Sequence, residues 1–168
     1  MDNPKILRNK CEARLEKAGC SRKVIAHCNA VCDVALSLAG DSPFIDRNLL
    51  VEGAMLHDIG RSVTHSIGHA QAGADLSRKA GDPEELSRII ERHTGAGLTP
   101  DECTLLGLLP RNCMPETAVE KLVTNADNLV KGRHRITEEE NLADVFYLPR
   151  KARKRMYRLF NEVHLICD

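Results

Sequence analysis

The sequence predicts an all-α, single-domain helical bundle of about seven helices, and three observations carry that expectation. Aromatic residues make up 3% of the 168-residue chain and Trp is absent, so the core falls to Leu, Ile, Val, Ala and Met, a set better suited to packed helices than to strands. Apolar residues recur at three- and four-residue spacing through most of the chain, the period of an amphipathic helix. Cap and stop residues punctuate those stretches.

The elements follow in order. Asn3-Pro4 reads as an N-cap with Pro at the first helical position, and Gly19 closes that helix. Ser21 starts a second helix that ends at Gly40, with Val24, Cys28, Val31, Ala35 and Leu38 in its stripe. Asp46 caps a third, which runs through Leu49, Leu50, Gly53, Ala54 and Leu56 into His57. A fourth spans about Ser66 to Ala80, before Gly81. Asp82-Pro83 repeats the cap-plus-Pro device for a fifth, in which Leu86, Ile89, Ile90 and His93 share a face. "TGAGLTPDE" reads as loop. Pro115 opens a sixth helix with Val119, Val123 and Asp127 at four-residue spacing, stopping near Gly132. After a charged connector, "LPRKARKRMYRLFNEVHLIC" gives a seventh with Ala152, Met156, Leu159, Phe160, Val163 and Ile166 as its apolar side. No strand is predicted. Residues 1–132 are expected to form a metal-binding core, with 133–168 a connector and basic amphipathic helix packed on the same domain.

Bulk properties narrow the function classes. A chain 42% hydrophobic and 29% charged is ordinary for a globular protein and excludes disorder. Net charge is zero, so no global field draws it to nucleic acid or membrane. No apolar run approaches membrane-spanning length, and "MDNPKILRNK" lacks a signal-peptide segment. The default expectation is cytoplasmic and off the membrane. Seven cysteines, an odd number without a CxxC pair, point to reduced thiols rather than a disulfide framework or a cysteine zinc site.

The stretch "LHDIGR", Leu56–Arg61, carries the chemistry. Neighbours on a regular helix point about 100° apart, so His57 and Asp58 converge only if the helix ends there and the chain bends, which Gly60 permits. Converging nitrogen and oxygen donors suit a metal. His27 lies beside the stripe of the second helix, His69 is on the fourth, His93 ends the fifth and Asp127 faces inward on the sixth. Taken singly, each is an ordinary buried polar residue or cap. Burying four imidazoles and two carboxylates together without a cation costs several kcal/mol per unpaired ion, and a metal removes that cost. Bundle interiors are where such sites are built.

The order H…HD…H…H…D around "HDIGR" resembles the HD-domain superfamily of metal-dependent phosphohydrolases, over about Ser21 to Gly132. The resemblance implies that His27, His57, Asp58 and Asp127 form a first metal site, that His69 in "HAQAG" and His93 in "ERHTG" complete a second, and that Asp58 bridges them. Some two-metal relatives carry a second His where this chain has Thr94. The cofactor implied is one or two divalent transition metals: Mn, Fe, Co, Ni or Zn.

Phosphoester hydrolysis fits those donors, since paired cations lower the pKa of a water and neutralise phosphoryl charge. Asp58, Arg61 and His65 are the candidate catalytic residues: Arg61 holds phosphoryl oxygens bidentately, and His65 donates a proton to the leaving oxygen. Arg61 and Arg133 are the candidate substrate-binding residues, with His134 beside the latter. The bland alternatives are a surface arginine at a helix end and a solvated loop histidine. The expected substrate is a small phosphorylated, nucleotide-like molecule. Three other readings stay open: a di-iron oxygenase on the same donors, a metal-stabilised module without activity, and association with RNA through "KGRHR" and "PRKARKRMYR". Of these basic stretches the last helix is accompanied only by Tyr157 and Phe160, poor support for base stacking. A homo-oligomer is possible on any of these readings.

Overall fold

The computed structural model describes residues 4–167, and these are predominantly helical. Nine α-helices follow in order: α1 (Pro4–Ala18), α2 (Arg22–Ala39), α3 (Arg47–Leu56), α4 (His69–Ala80), α5 (Glu84–Arg92), α6 (Pro100–Leu105), α7 (Ala118–Asn128), α8 (Glu138–Asp144) and α9 (Arg150–Cys167). A 3-10 turn, Ile59–Ser62, separates α3 from α4. An antiparallel hairpin of β1 (Val130–Lys131) and β2 (His134–Arg135) follows α7.

Helix starts are set by side chains that accept from free backbone amides. Ser21 accepts from the Val24 amide at the head of α2, and Asp46 accepts from the Asn48 and Leu49 amides at the head of α3. The expected Asn3 cap lies outside the described residues. Asp82 does not cap α5. Its carboxylate is drawn away by the Arg14 guanidinium and the Ser77 hydroxyl, and Pro83 takes the cap position without a side-chain bond.

The bundle has more helices than expected because two are too short to show a period. The end of the stretch read as loop, residues 100–102, opens α6, and α8 lies within the charged connector. Both begin with a capping box, Thr99 with Glu102 and Thr137 with Glu140, in which each partner satisfies the other's amide. α7 starts the same way at Thr117 with Glu120, beyond the expected start at Pro115. Thr117→Ala is expected to cost about 1 kcal/mol, lowering the melting temperature by about 2–4 °C, as measured by thermal unfolding. α4 begins at His69 rather than Ser66, because Ser66 is held in a turn, its amide donating to the Thr64 hydroxyl and its own hydroxyl accepting from the Gly68 amide.

α2 packs on α3 and α7, and α4 packs on α5. Their inward faces meet in one apolar cluster that includes Val31, Leu50, Met55, Ile90 and Leu122. Met156, Leu159, Phe160 and Val163 of α9 belong to it too. Six cysteines, Cys11, Cys20, Cys28, Cys32, Cys103 and Cys113, are buried free thiols, and burial pushes the Cys11 thiol up to about 12. No helix among the described residues is long and apolar enough to cross a membrane.

Candidate metal centre

The interior of the bundle brings together donors from α2, the ends of α3 and α5, the start of α4 and the last turn of α7. Stopping α3 at Leu56 and α5 at Arg92 frees carbonyls of the last turn, and the next residue uses one. His57 Nδ1 lies 2.8 Å from the Ala54 carbonyl, and His93 Nδ1 lies 2.7 Å from the Ile90 carbonyl. His69 Nδ1 meets the Ser66 carbonyl at 2.8 Å, again three residues back, and His27 Nδ1 meets the Gly132 carbonyl at 2.9 Å. A carbonyl only accepts, so all four Nδ1 atoms carry hydrogen, and each ring in its neutral form presents the Nε2 lone pair inward.

Those lone pairs converge on two carboxylates. His27 Nε2 is 2.9 Å from Asp127 Oδ1, and His57 Nε2 is 3.5 Å from the same oxygen. Asp58 turns Oδ2 towards His57 Nε2 at 3.9 Å, and Oδ1 towards His69 Nε2 at 3.1 Å and His93 Nε2 at 3.6 Å. The donor atoms of His27, His57 and Asp127 all lie within 4.8 Å of one another, as do those of His57, Asp58 and His93.

Two further observations show that this donor set fits a cation. His69 Nε2 and His93 Nε2 stand 3.1 Å apart. With hydrogen on both Nδ1 atoms, neither nitrogen can donate, and two lone pairs at that separation repel unless positive charge lies between them. His57 Nε2 is fully buried and has no hydrogen-bond partner among the described residues, an expensive state for a polar atom unless it ligates an ion.

The electrostatics agree. Burial opposes a charge on His57, yet Asp58 and Asp127 overcome it and push its pKa up to about 9. Burial likewise opposes ionisation of both acids. His57, His69 and His93 nevertheless hold Asp58 far below the usual carboxylate range, and His27 and His57 do the same for Asp127. The cluster therefore draws positive charge, and a divalent cation would answer that draw by displacing the His57 proton and taking up the Nε2 lone pairs of the neutral rings.

Gly60 serves the site differently from the expected role. It does not bend the chain through an unusual φ, since it is not among the positive-φ glycines. It lets the 3-10 turn lie against α4: a Cβ there would stand 1.9 Å from the His69 carbonyl oxygen and 2.5 Å from the Gly73 amide nitrogen. That approach brings Asp58 to His69.

All six donors named from sequence are thus gathered. Arg61 and His65 line the cleft above them, with Lys23, Val24, His27 and Asp58. The Arg61 guanidinium donates to Asp58 Oδ1 and to the His65 carbonyl, both at 3.1 Å, so it lies over the cluster. Arg133 is not in this cleft. It lines a neighbouring recess of about 230 Å³ with Ala30, Asp33, Val34, Val130 and Arg135. Lys23 was missed from sequence, although it sits four residues before His27 and therefore on the same helical face. The Gly132 carbonyl partner of His27 carries no sequence signal, because any residue supplies a carbonyl.

Four imidazoles and two carboxylates gathered in a helical bundle are a donor set that could hold a metal through mixed nitrogen and oxygen ligands. More narrowly, the chain belongs to the HD-domain family, whose model, HD domain, matches residues 24–132. Among its relatives is a tRNA (cytidine(56)-2'-O)-methyltransferase of Picrophilus torridus, 39% identical over 161 residues that make up 95% of this chain and 47% of that protein. An uncharacterised protein of Methanocaldococcus jannaschii is 44% identical over 121 residues, 70% of this chain and 72% of that one. A ribonuclease Y of Aquifex aeolicus is 32% identical over 75 residues, 44% of this chain and 13% of the enzyme. The chain thus spans about half the methyltransferase and a small part of the ribonuclease. No solved structure matches it.

Proposed function

We propose that the protein is a metal-dependent phosphoesterase that hydrolyses a phosphate ester of a nucleotide-like substrate. The observation that carries this reading is the set of four Nε2 lone pairs aimed at two carboxylates beneath a cleft lined by Arg61, Lys23 and His65. His27, His57, Asp58 and Asp127 would hold one divalent transition metal, and His69 and His93 a second, with Asp58 shared because its two oxygens face the two groups. When bound, such metals supply Lewis acidity and lower the pKa of water towards neutrality.

The chain's own residues do the rest. Arg61 and Lys23 neutralise the non-bridging phosphoryl oxygens, Arg61 through its planar fork. Water forms the new bond to phosphorus as the ester P–O bond breaks, His65 delivers a proton to the departing oxygen, and the proton lost by the water passes to solvent, from which His65 is reprotonated. The family supports phosphate chemistry. The names of the relatives, tRNA methyltransferase and ribonuclease Y, favour a substrate drawn from ribonucleotides or RNA, which raises the standing of an RNA partner relative to the composition alone.

The test is elemental analysis of protein loaded with Mn, Fe, Co, Ni or Zn, followed by turnover on a panel of nucleotides and p-nitrophenyl phosphate esters. Hydrolysis that is lost on chelation, returns with metal and is indifferent to removal of oxygen is the expected result. Oxygen uptake without phosphate release would replace this reading with di-iron oxygenase chemistry. Metal that raises the melting temperature with no turnover would leave a binding module.

A further inference from the structure

The cleft over the metal centre and the recess beside it share one face of α2. Lys23 and His27 line the first, and Ala30 and Val34 line the second. These positions are spaced by three and four residues, so they form one stripe. At 1.5 Å per residue, the seven residues from His27 to Val34 cover about 10 Å. His27 joins the two depressions, with Nε2 on Asp127 and Nδ1 bonded to Gly132 at the hairpin turn.

The far wall of the recess is that hairpin, Lys131-Gly132-Arg133-His134-Arg135. Lys131 is paired with Asp144, and Arg135 reaches the Ser37 hydroxyl at 3.4 Å. Arg133 is exposed and makes no hydrogen bond or ion pair among the described residues. One acid, Asp33, lines the recess, and its carboxylate already accepts from the Arg8 guanidinium at 2.5 Å. Ala30, Val34 and Val130 line the recess together with Arg133 and Arg135. The chain as a whole is neutral, so this positive wall is a local feature rather than part of a general field.

We propose that the recess is a second phosphate subsite, in which Arg133 and Arg135 hold the backbone of a single-stranded nucleotide chain whose reacting phosphate lies at the metal centre. This deepens the phosphoesterase reading and rests on it for the position of the first phosphate. The geometry favours a chain over a lone nucleotide. At about 3.4 Å of rise per stacked nucleotide, 10 Å corresponds to about three nucleotides, and AMP, with one phosphate, cannot place a phosphate in both depressions. A recess lined by both apolar side chains and arginines suits a ribose or base against the former with its phosphate against the latter. The two arginines are assigned to phosphates and Asp33 is engaged by Arg8, so sequence preference is expected to be weak.

The test measures binding, which does not require turnover. Metal-loaded full-length protein is titrated with AMP and with the trinucleotide pApApA by fluorescence competition at several salt concentrations. The trinucleotide is expected to bind at least about tenfold more tightly, and its salt slope to exceed that of AMP by about one to two contacts' worth. Arg133→Glu combined with Arg135→Glu, both exposed positions whose far-ultraviolet circular dichroism should match the parent, is expected to bring the ratio close to one. Equal binding of AMP and pApApA by the parent protein overturns the subsite, as does an unchanged ratio in the variant. A polyaspartate of matching charge that binds as tightly as pApApA overturns its assignment to a nucleotide chain. Length-dependent binding without hydrolysis of any ester would sink the phosphoesterase reading and leave the subsite standing.

Discussion

Asp58→Ala is expected to remove bound metal and phosphoester turnover together. Asp58 is the carboxylate that the two candidate metal positions share: one oxygen faces His57, and the other faces His69, His93 and the Arg61 guanidinium. Deleting it therefore weakens both positions at once and frees Arg61 from its place over the cleft. Loss of an outer partner of a metal ligand commonly costs ten- to a hundredfold in affinity or activity. Loss of a shared ligand is expected to cost more, at least about a thousandfold in kcat/KM, or about 4 kcal/mol of transition-state stabilisation. Elemental analysis and turnover on the best substrate of the panel measure the two losses separately. Asp58→Asn keeps the size of the side chain and removes the charge, so metal loss in that variant too would assign the effect to charge rather than to a cavity. Full turnover by Asp58→Ala with metal retained would end the assignment of this cluster as the reacting centre.

Legibility of the fold in the sequence follows the length of each element. α2 and α3 are legible because long apolar stripes agree with strong side-chain caps at Ser21 and Asp46. α6 and α8, with 6 and 7 residues, span fewer than two full turns, too little for a periodic pattern to stand out. Their signal is present in another form. "TPDE", "TAVE" and "TEEE" are three instances of Thr followed three residues later by Glu, and each is a capping box in the structure. Asp82 shows the opposite case: a good local cap whose carboxylate a distant arginine and a serine claim first. The hairpin is unreadable by alternation, since each strand has two residues. It is made by Gly132, whose φ of 62° suits the turn.

The donor set is legible because four imidazoles and two carboxylates fall together on or beside inward helix faces, although each alone reads as an ordinary buried polar residue or cap. Its supporting shell is not. Carbonyls of Ala54, Ser66, Ile90 and Gly132 fix all four rings, and a backbone atom leaves no trace in residue identity. The placement of Arg133 in a separate recess depends on where the hairpin folds back against α2, a tertiary outcome that local spacing does not encode.

The reason for glycine in "HDIG" leads to the second large effect. Gly60→Ala is expected to destabilise the protein by about 3 kcal/mol, the upper range for forcing extra volume into a packed interior, and to disperse the metal ligands. The added Cβ would stand 1.9 Å from the His69 carbonyl oxygen and 2.5 Å from the Gly73 amide nitrogen, and both obstacles are backbone. No rotamer change relieves such a contact, so the 3-10 turn must move away from α4. That motion separates Asp58, next to the turn, from His69 on α4, which now face each other at 3.1 Å. For a chain of this size about 3 kcal/mol corresponds to a fall of about 6–12 °C in melting temperature, and metal content should fall with it. Gly81→Ala is the informative comparison. Gly81 ends α4 at a φ of 81°, and a Cβ added there would meet nothing within 4 Å among the described residues. That change costs only the left-handed conformation, about 1–2 kcal/mol, and leaves metal binding intact. A Gly60→Ala protein that melts within a degree of the parent and keeps its metal would show that the turn and α4 do not need this contact, and the close approach of the two backbones would no longer explain how Asp58 reaches the imidazoles.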